Sequence, residues 1–318
     1  MKTVRIEIIT PVHNRREETL RCLKSLGRSK LDGIKAHIIV VDDGSTDGTS
    51  ESVREQYPEV EIVNGDGNLW YTAGTNRGLK AALMHDPDYI LAINDDSIFD
   101  ENCIRRLVEC AEKYPNSVVG PLLLNWEAPH NIFQVAPKWD LWGGGFRHWR
   151  HQTVWTVPDK PWEVELIVGN CVLYPASAVR EVGFMDEKRF VQYGDAEYTP
   201  RMRRSGWRLL IEPAARVFCQ PNVVPSGFRK LPLLRKFEEI FRKPAGPYSI
   251  HRRVNTTLGG APSRLQGMAA LPLFAIRMLI GRNIEGRWSE QQPERPLSET
   301  FASKIVSENG GKPNLASK

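Results

Sequence analysis

Residues 89–99 read Tyr-Ile-Leu-Ala-Ile-Asn-Asp-Asp-Ser-Ile-Phe, an apolar strand running into two adjacent carboxylates, Asp95 and Asp96. The carboxyl end of a buried strand in an open α/β sheet is where ligands bind. Carboxylates there are costly unless a cation or hydrogen bonds compensate them. Hard divalent ions such as Mg²⁺ favour one or two carboxylates together with the phosphates of a substrate. The pair therefore points to a metal–diphosphate site. Three more polar clusters follow apolar segments: Thr10-Pro11-Val12-His13-Asn14-Arg15, Asp42-Asp43-Gly44-Ser45, and Asp66-Gly67-Asn68 with Ala73-Gly74-Thr75-Asn76. Glycines in such places let backbone approach a ligand closely, and a helix N-terminus near Gly74–Asn76 would offer N–H donors to an anion. Each cluster has a plainer reading. Asp42–Gly48 can be a turn with a helix cap. As a calcium loop it fails, because the twelfth position is Arg54 rather than Glu. Neither GxGxxG nor GxxxxGK[ST] occurs, which weakens dehydrogenase and P-loop readings.

The elements that must position these clusters alternate. Val4–Thr10 reads as a strand ended by Pro11, and Arg15–Leu26 as a helix with Leu20, Leu23 and Leu26 in helical spacing. Strands follow at Ala36–Val41, Glu59–Val63, Tyr89–Ile93 and Ser117–Leu124, with helices at Thr75–Leu83 and Asn102–Lys113. Such alternation predicts a mostly parallel sheet with helices on both faces. All four clusters then lie at carboxyl ends and converge on one crevice. Between Pro137 and Trp162 stand five of the nine tryptophans, around Gly143-Gly144-Gly145. This segment reads either as a glycine-hinged loop beside a cleft, stacking on sugar rings, or as a small aromatic sub-core. Strand Leu166–Tyr174, helices Ala176–Val182 and Asp195–Ser205, and strand Trp207–Ile211 complete the α/β part.

Composition is that of a globular protein, 41% hydrophobic and 25% charged. The five cysteines are widely spaced without a CxxC pair, against a disulfide framework or zinc site built on them. No run of about 18 apolar residues predicts a membrane span, and the first residues read as a strand rather than a signal peptide. The expectation is a cytoplasmic protein. Charge is uneven: 16 Lys and Arg against 7 Asp and Glu follow residue 224, so a net +5 divides into about +9 there and about −4 before it. A basic tail calls for an anionic surface; nothing points to nucleic acid. Leu231–Arg242 reads as an amphipathic basic helix. Arg264–Arg282 reads as a helix lying in a membrane interface, or packed on the rest of the chain or on a second copy in a homodimer. The expected divisions are 1–225, halved at 125/126, a basic helical extension over 226–285, and a disordered tail over 286–318.

In this order, the clusters resemble the family 2 inverting glycosyltransferases of the GT-A fold. The marks are Ile8-Ile9-Thr10-Pro11-Val12-His13-Asn14, Val40–Thr49 with Asp42-Asp43-Gly44-Ser45, Ala73–Gly78, Asn94-Asp95-Asp96-Ser97, and Phe184-Met185-Asp186-Glu187, over roughly residues 4–220. The closest look is that of bacterial surface-polysaccharide enzymes, including rhamnosyltransferase-like members. The resemblance implies that Thr10 and Pro11 line a nucleotide pocket and that Asp43 accepts the N3–H of uracil or thymine. Asp95 would touch the ribose, sugar or metal, and Asp96 would hold Mn²⁺ or Mg²⁺ on the diphosphate. Asn14, Arg15, Asp42, Gly67, Asn68, Gly74, Asn76 and Asn94 complete the nucleotide-sugar site. The base would be Asp195, with Glu197 as alternative, although the family's preceding glutamate is here Gly194. Where many relatives carry a histidine that can bind the metal, this chain has Cys219. Gly169 and Asn170 would shape the acceptor side, with Trp142 from the tryptophan-rich loop. His13 reads as a pocket or surface residue. The implied reaction is transfer of a sugar from a UDP- or dTDP-sugar to a glycan or lipid-linked glycan hydroxyl. A degenerate, non-catalytic scaffold is the alternative; a sugar nucleotidyltransferase would need a glycine-rich loop that Thr10–Asn14 is not.

Overall fold

The computed structural model describes residues 3–136, 138–149, 152–220, 231–243 and 248–279. The alternation of the first half builds β1 (Val4–Val12), α1 (Arg16–Leu26), β2 (Ile34–Asp42), α2 (Thr49–Gln56), β3 (Glu61–Asn64), α3 (Trp70–Met84) and β4 (Tyr89–Ile93). Then come β5 (Ser97–Phe99), α4 (Cys103–Lys113), β6 (Ser117–Asn125), and the small strands β7 (Lys138–Asp140), β8 (Gly145–Arg147) and β9 (Trp162–Glu163). The remainder is β10 (Cys171–Pro175), α5 (Ala176–Val182), α6 (Asp195–Arg204), β11 (Arg208–Cys219), α7 (Leu233–Phe241), α8 (Ile250–Gly260) and α9 (Arg264–Leu279).

The main sheet has the order β3-β2-β1-β4-β10-β6-β11-β5, with β9 against β11. β3, β2, β1 and β4 are parallel, as are β6 and β11; β10 enters antiparallel between β4 and β6. Period-two alternation divides the core. Ile8, Val40 and Leu91 face α1 and α4, where Leu23, Leu107 and Val108 cover them. Ile9, Ile39 and Ile90 face the other side, under Leu79 of α3 and beside Tyr198 and Met202 of α6. Burying both faces explains why these strands read as continuous apolar runs.

Two strands run longer than their sequence patterns. Pro11 does not end β1, which continues to Val12 opposite Asp42. β4 pairs only with Ile6–Ile9, so at Pro11 the strand has a single neighbour and the missing N–H is tolerated. β11 extends past Ile211 to Cys219 through an irregularity between Glu212 and Arg216. Before it β11 pairs with β9, and after it with β5. That bend anchors Ser97 beside Cys219, so Asn94–Asp96 form a short turn tied down at both ends. The strand expected over 166–174 is shorter, starting at Cys171. Helix α8 has no counterpart in the sequence reading. It packs on α6, and Ser249 caps it by accepting the Arg252 N–H at 3.3 Å.

Candidate active site

The strand ends open into a cavity of about 820 Å³, within the range of small-molecule sites. Its walls include Pro11, Arg15, Asp43, Asn94, Asp95, Asp96, Gly169, Asn170 and Asp195. Asn94 donates its N–H to the Asn170 carbonyl at 3.0 Å, continuing the pairing of β4 with β10. One residue on, Asp95 is buried and Asp96 half-buried beside it, and Arg15 spans them: Nε lies 3.3 Å from Asp95 Oδ2 and Nη2 donates to Asp96 Oδ2 at 3.0 Å. Burial, offset by Arg15 and reinforced by Asp96, pushes the Asp95 carboxyl up to about 7. Asp96 Oδ1 is buried without a hydrogen-bond partner. An orphaned carboxylate oxygen is costly, and two oxygen donors at a strand end suit a Mg²⁺ or Mn²⁺ ion whose remaining ligands are phosphates and water.

Asp43 reaches the cavity with most of its capacity used. Its Oδ1 accepts the Gly67 N–H at 2.8 Å, and its Oδ2 accepts those of Leu69 at 2.8 Å and Trp70 at 3.1 Å. A carboxylate has about four lone-pair sites, so one remains for a ligand. Those bonds also set where α3 begins. The helix starts at Trp70, five residues before the expected Thr75, and its first amides are turned to Asp43. Gly74 and Asn76 are therefore inside α3 and are not anion donors. A Cβ on Gly74 would stand 2.9 Å from Pro11 Cβ. Asn76 exchanges hydrogen bonds with the Met185 backbone at 2.9 Å in both directions and donates to Glu187 at 2.8 Å.

Other expected site residues support the crevice without lining it. Asp42 accepts the Ser45 N–H at 2.8 Å and the Ser50 hydroxyl, folding the turn after β2. Asn14, at φ 52°, accepts the Thr46 N–H at 2.7 Å. Gly67, at φ 86°, and Asn68 form the turn around Asp66. Thr10 is buried in β1. Cys219 lies in the core next to Ser97, 4.0 Å away. Burial and nearby Asp96 push its thiol well above the usual range, so it does not present a thiolate to the cavity. Trp142 tips the β7–β8 hairpin and is exposed, while Gly143, Gly144 and Phe146 of that hairpin reach the cavity. Of the other tryptophans in this segment, Trp149 and Trp162 stack at 5.9 Å against the core, forming the aromatic sub-core.

Asp195 opens α6, and its Oδ2 accepts the Gly169 N–H at 2.9 Å. Burial raises its carboxyl above the ordinary range, partly offset by that bond, by the first amides of α6 and by the Arg252 charge. Gly169 must be glycine, since its Cβ would stand 2.9 Å from Asp195 Cβ. Gly194 has a reason of the same kind: a Cβ there would lie 2.7 Å from Thr72 Cγ2 and 3.0 Å from Met185 Sδ, so no glutamate fits. Glu197, the alternative base, is held by Arg201 at 2.7 Å and by Arg204 at 3.8 Å. It is covered by α8, whose Gly259 would place a Cβ 2.8 Å from Glu197 Cγ, and it does not line the cavity. The remaining wall was missed in sequence. Trp70, at φ 56°, and Tyr71 follow the glycine turn; Tyr193 carries Arg252 over its ring at 3.4 Å; Arg253 lies beside it on α8. Two aromatics after Gly67-Asn68, and two arginines just after a capping serine, were the available signals.

The model of the family described as "Glycosyl transferase family 2" matches residues 7–182, from β1 to the end of α5. The chain belongs to this family. Among curated relatives it is 26% identical over 203 residues to the N-acetylglucosaminyl-diphospho-decaprenol L-rhamnosyltransferase of Mycobacterium tuberculosis, covering 57% of this chain and 65% of that protein. It is also 26% identical over 206 residues to the galactofuranosyltransferase GlfT1 of the same species, 62% and 64% covered. The chain thus spans just under two thirds of these relatives. Among solved structures, GalNAc-T7 with UDP, GalNAc and Mn²⁺ superposes with a TM-score of 0.58 at 14% identity, covering 87% of this chain and 58% of that one. Residues 1–349 of Staphylococcus aureus TarS give 0.54 at 13% identity, with 88% and 72% covered. The family 2 chain described here has the GT-A fold.

Proposed function

We propose that this protein is a metal-dependent inverting glycosyltransferase. It moves a sugar from a UDP- or dTDP-sugar to a hydroxyl of a glycan or lipid-linked glycan in bacterial cell-surface polysaccharide biosynthesis. The observation that carries the reading is the convergence in one cavity of Asp43, the Asp95–Asp96 pair and Asp195. Asp43 keeps one lone pair for a pyrimidine N3–H. Asp96, with its orphaned Oδ1, and Asp95 would hold Mn²⁺ or Mg²⁺. When bound, the ion supplies neutralisation of the leaving diphosphate. Arg15, spanning the two carboxylates, would face those phosphates.

Asp195 takes the acceptor proton. Its raised pKa makes it a better base than an exposed aspartate, and Gly169 holds it in place. Asn170, Gly169 and the β7–β8 hairpin border the acceptor side. Arg147, Arg252 and Arg253 make that side basic, which suits an acceptor carrying a diphosphate, as the rhamnosyltransferase relative's name describes. The setting is the cytoplasmic membrane face. α7 exposes Leu234, Phe237 and Phe241 beside Arg235, Lys236, Arg242 and Lys243, which outnumber Glu238 and Glu239, an apolar stripe with a net positive border.

The test is a donor screen. Protein with Mn²⁺ is incubated with single UDP-, dTDP- and GDP-sugars, and nucleoside diphosphate release is followed. Release from one UDP- or dTDP-sugar, abolished by EDTA and reduced at least about a hundredfold in Asp96→Ala, is the expected result. Silence with every donor, together with no nucleotide binding by calorimetry, sinks the reading.

A further inference from the structure

Toward the amino-terminal halves of the same strands, away from the crevice, sits a second cluster of chemistry-bearing groups. Glu7 on β1 is directly beside His37 on β2 in the sheet register, and Ile90 of β4 flanks it on the other side. α3 runs back along the sheet and delivers His85 to the same point, immediately after its last turn. Glu61 opens β3. The Nδ1 atoms of His37 and His85 lie 2.7 and 3.2 Å from one oxygen, Glu7 Oε2, while His85 Nε2 lies 3.5 Å from Glu61 Oε2. Among the described residues, Glu7, His37 and His85 are the one set of three His, Cys, Asp or Glu side chains whose ligand atoms all lie within 4.8 Å of one another.

We propose that Glu7, His37 and His85 form a second divalent-metal site, suited to Zn²⁺ and separate from the crevice, with Glu61 orienting His85. Two imidazoles and one carboxylate are a zinc donor set, leaving a fourth position for water. Ligand atoms on a tetrahedral zinc stand about 3.3 Å apart, so the observed spacings need only small side-chain adjustments. A zinc-bound histidine typically turns its second nitrogen to a carboxylate; His85 has this arrangement, Nδ1 toward Glu7 and Nε2 toward Glu61. The cluster also accounts for a carboxylate in the middle of an inner strand. The Glu7 side chain is only 8% exposed, a costly place for a charge, with the His37 imidazole as its hydrogen-bond partner at 2.7 Å. The histidines are 36% and 39% exposed, which leaves an entry path. Asp95 lies five residues beyond the Ile90 level of Glu7, about 16 Å along the strand direction. No shared ligand links the two sites. Bound metal would clip β1, β2 and the end of α3 together.

Tag-free protein, stripped with chelator, is titrated with Zn²⁺ by calorimetry and thermal melting. Wild type and Asp96→Ala are expected to bind one equivalent with the same affinity and to melt at higher temperature with Zn²⁺. Glu61→Gln, a conservative change at a partly exposed residue, is expected to weaken binding about 10- to 100-fold. His85→Ala, with its fold checked by circular dichroism, is expected to lose binding. Absence of stoichiometric binding in wild type overturns the proposal. So does binding that survives His85→Ala, or binding lost in Asp96→Ala, which would place the ion in the crevice.

Discussion

At the scale of single residues, the site separates groups that meet a ligand from groups that hold those groups. Asp195 lines the cavity and, as the proposed base, falls in the first kind. Asp195→Asn keeps the shape and removes the base, so turnover is expected to fall about 10²- to 10⁴-fold while UDP affinity in calorimetry stays within a few-fold. The base works only when ionised, and burial raises its pKa. Activity should therefore be lost on acidification through an apparent pKa above about 3.9, the ordinary aspartate value. A kcat/KM profile with its acid limb at or below that value would contradict the assignment. Asp43, Asp95 and Asp96 stood out in sequence because paired carboxylates after apolar strands are expensive, whereas Asp195, at the start of a helix, was reached only through the family resemblance. The meaning of Gly194 was not legible. A missing glutamate reads as a lost function, but the contact of that position with Thr72 and Met185 makes it a matter of space. The demotion of Glu197 likewise needed Arg201, Arg204 and α8 in three dimensions.

At the scale of elements, the strands and most helices followed from apolar periodicity, and the errors cluster where a long-range bond overrides a local pattern. The start of α3 is the clearest. Gly74-Thr75-Asn76 looks like a helix entry, but Asp43, more than twenty residues earlier, gathers the amides of Leu69 and Trp70 and moves the start to Trp70. Asn76 then becomes a strut between α3 and the segment before α6, not a nucleotide contact. Asn76→Ala removes three hydrogen bonds at a buried position. Each such loss costs about 1 kcal/mol or more, so denaturant unfolding should show a loss of about 2–4 kcal/mol. At temperatures where the variant is folded, UDP affinity should be near wild type. A large drop in affinity with unchanged stability would return Asn76 to the binding site. β11 teaches the same lesson: its continuation past Ile211 depends on β6, resumed after the irregularity, on one side and β5 on the other, while β9 reaches only Leu210 and Ile211.

At the scale of the whole molecule, the basic C-terminal part and the sheet meet at the crevice. α8 packs on α6, and Thr257 donates its hydroxyl to the Gly144 carbonyl, so the region beyond the matched family segment supplies a wall of the cavity. No helix among the described residues is long and apolar enough to cross a membrane. Contact with anionic lipid through α7 is a proposal with a direct readout. Wild type should sediment with vesicles containing phosphatidylglycerol and release them at high salt, while Phe237→Ser combined with Phe241→Ser should stay in solution with its fold unchanged. Equal sedimentation of both proteins would remove α7 from the membrane. The fate of the notional helix over 264–282 is settled only to Leu279, and 286–318 lies outside the described residues. What the sequence by itself determined was the alternation of elements, the α/β class and the acidic turns at strand ends, because periodicity and the cost of buried charge act locally. Which acids face the cavity, which glycines are there for space, and that Glu7, His37 and His85 meet at all were decided by tertiary structure. Those facts depend on contacts between residues distant along the chain, and only the packing of strands, α3 and α8 brings such residues within a few ångströms.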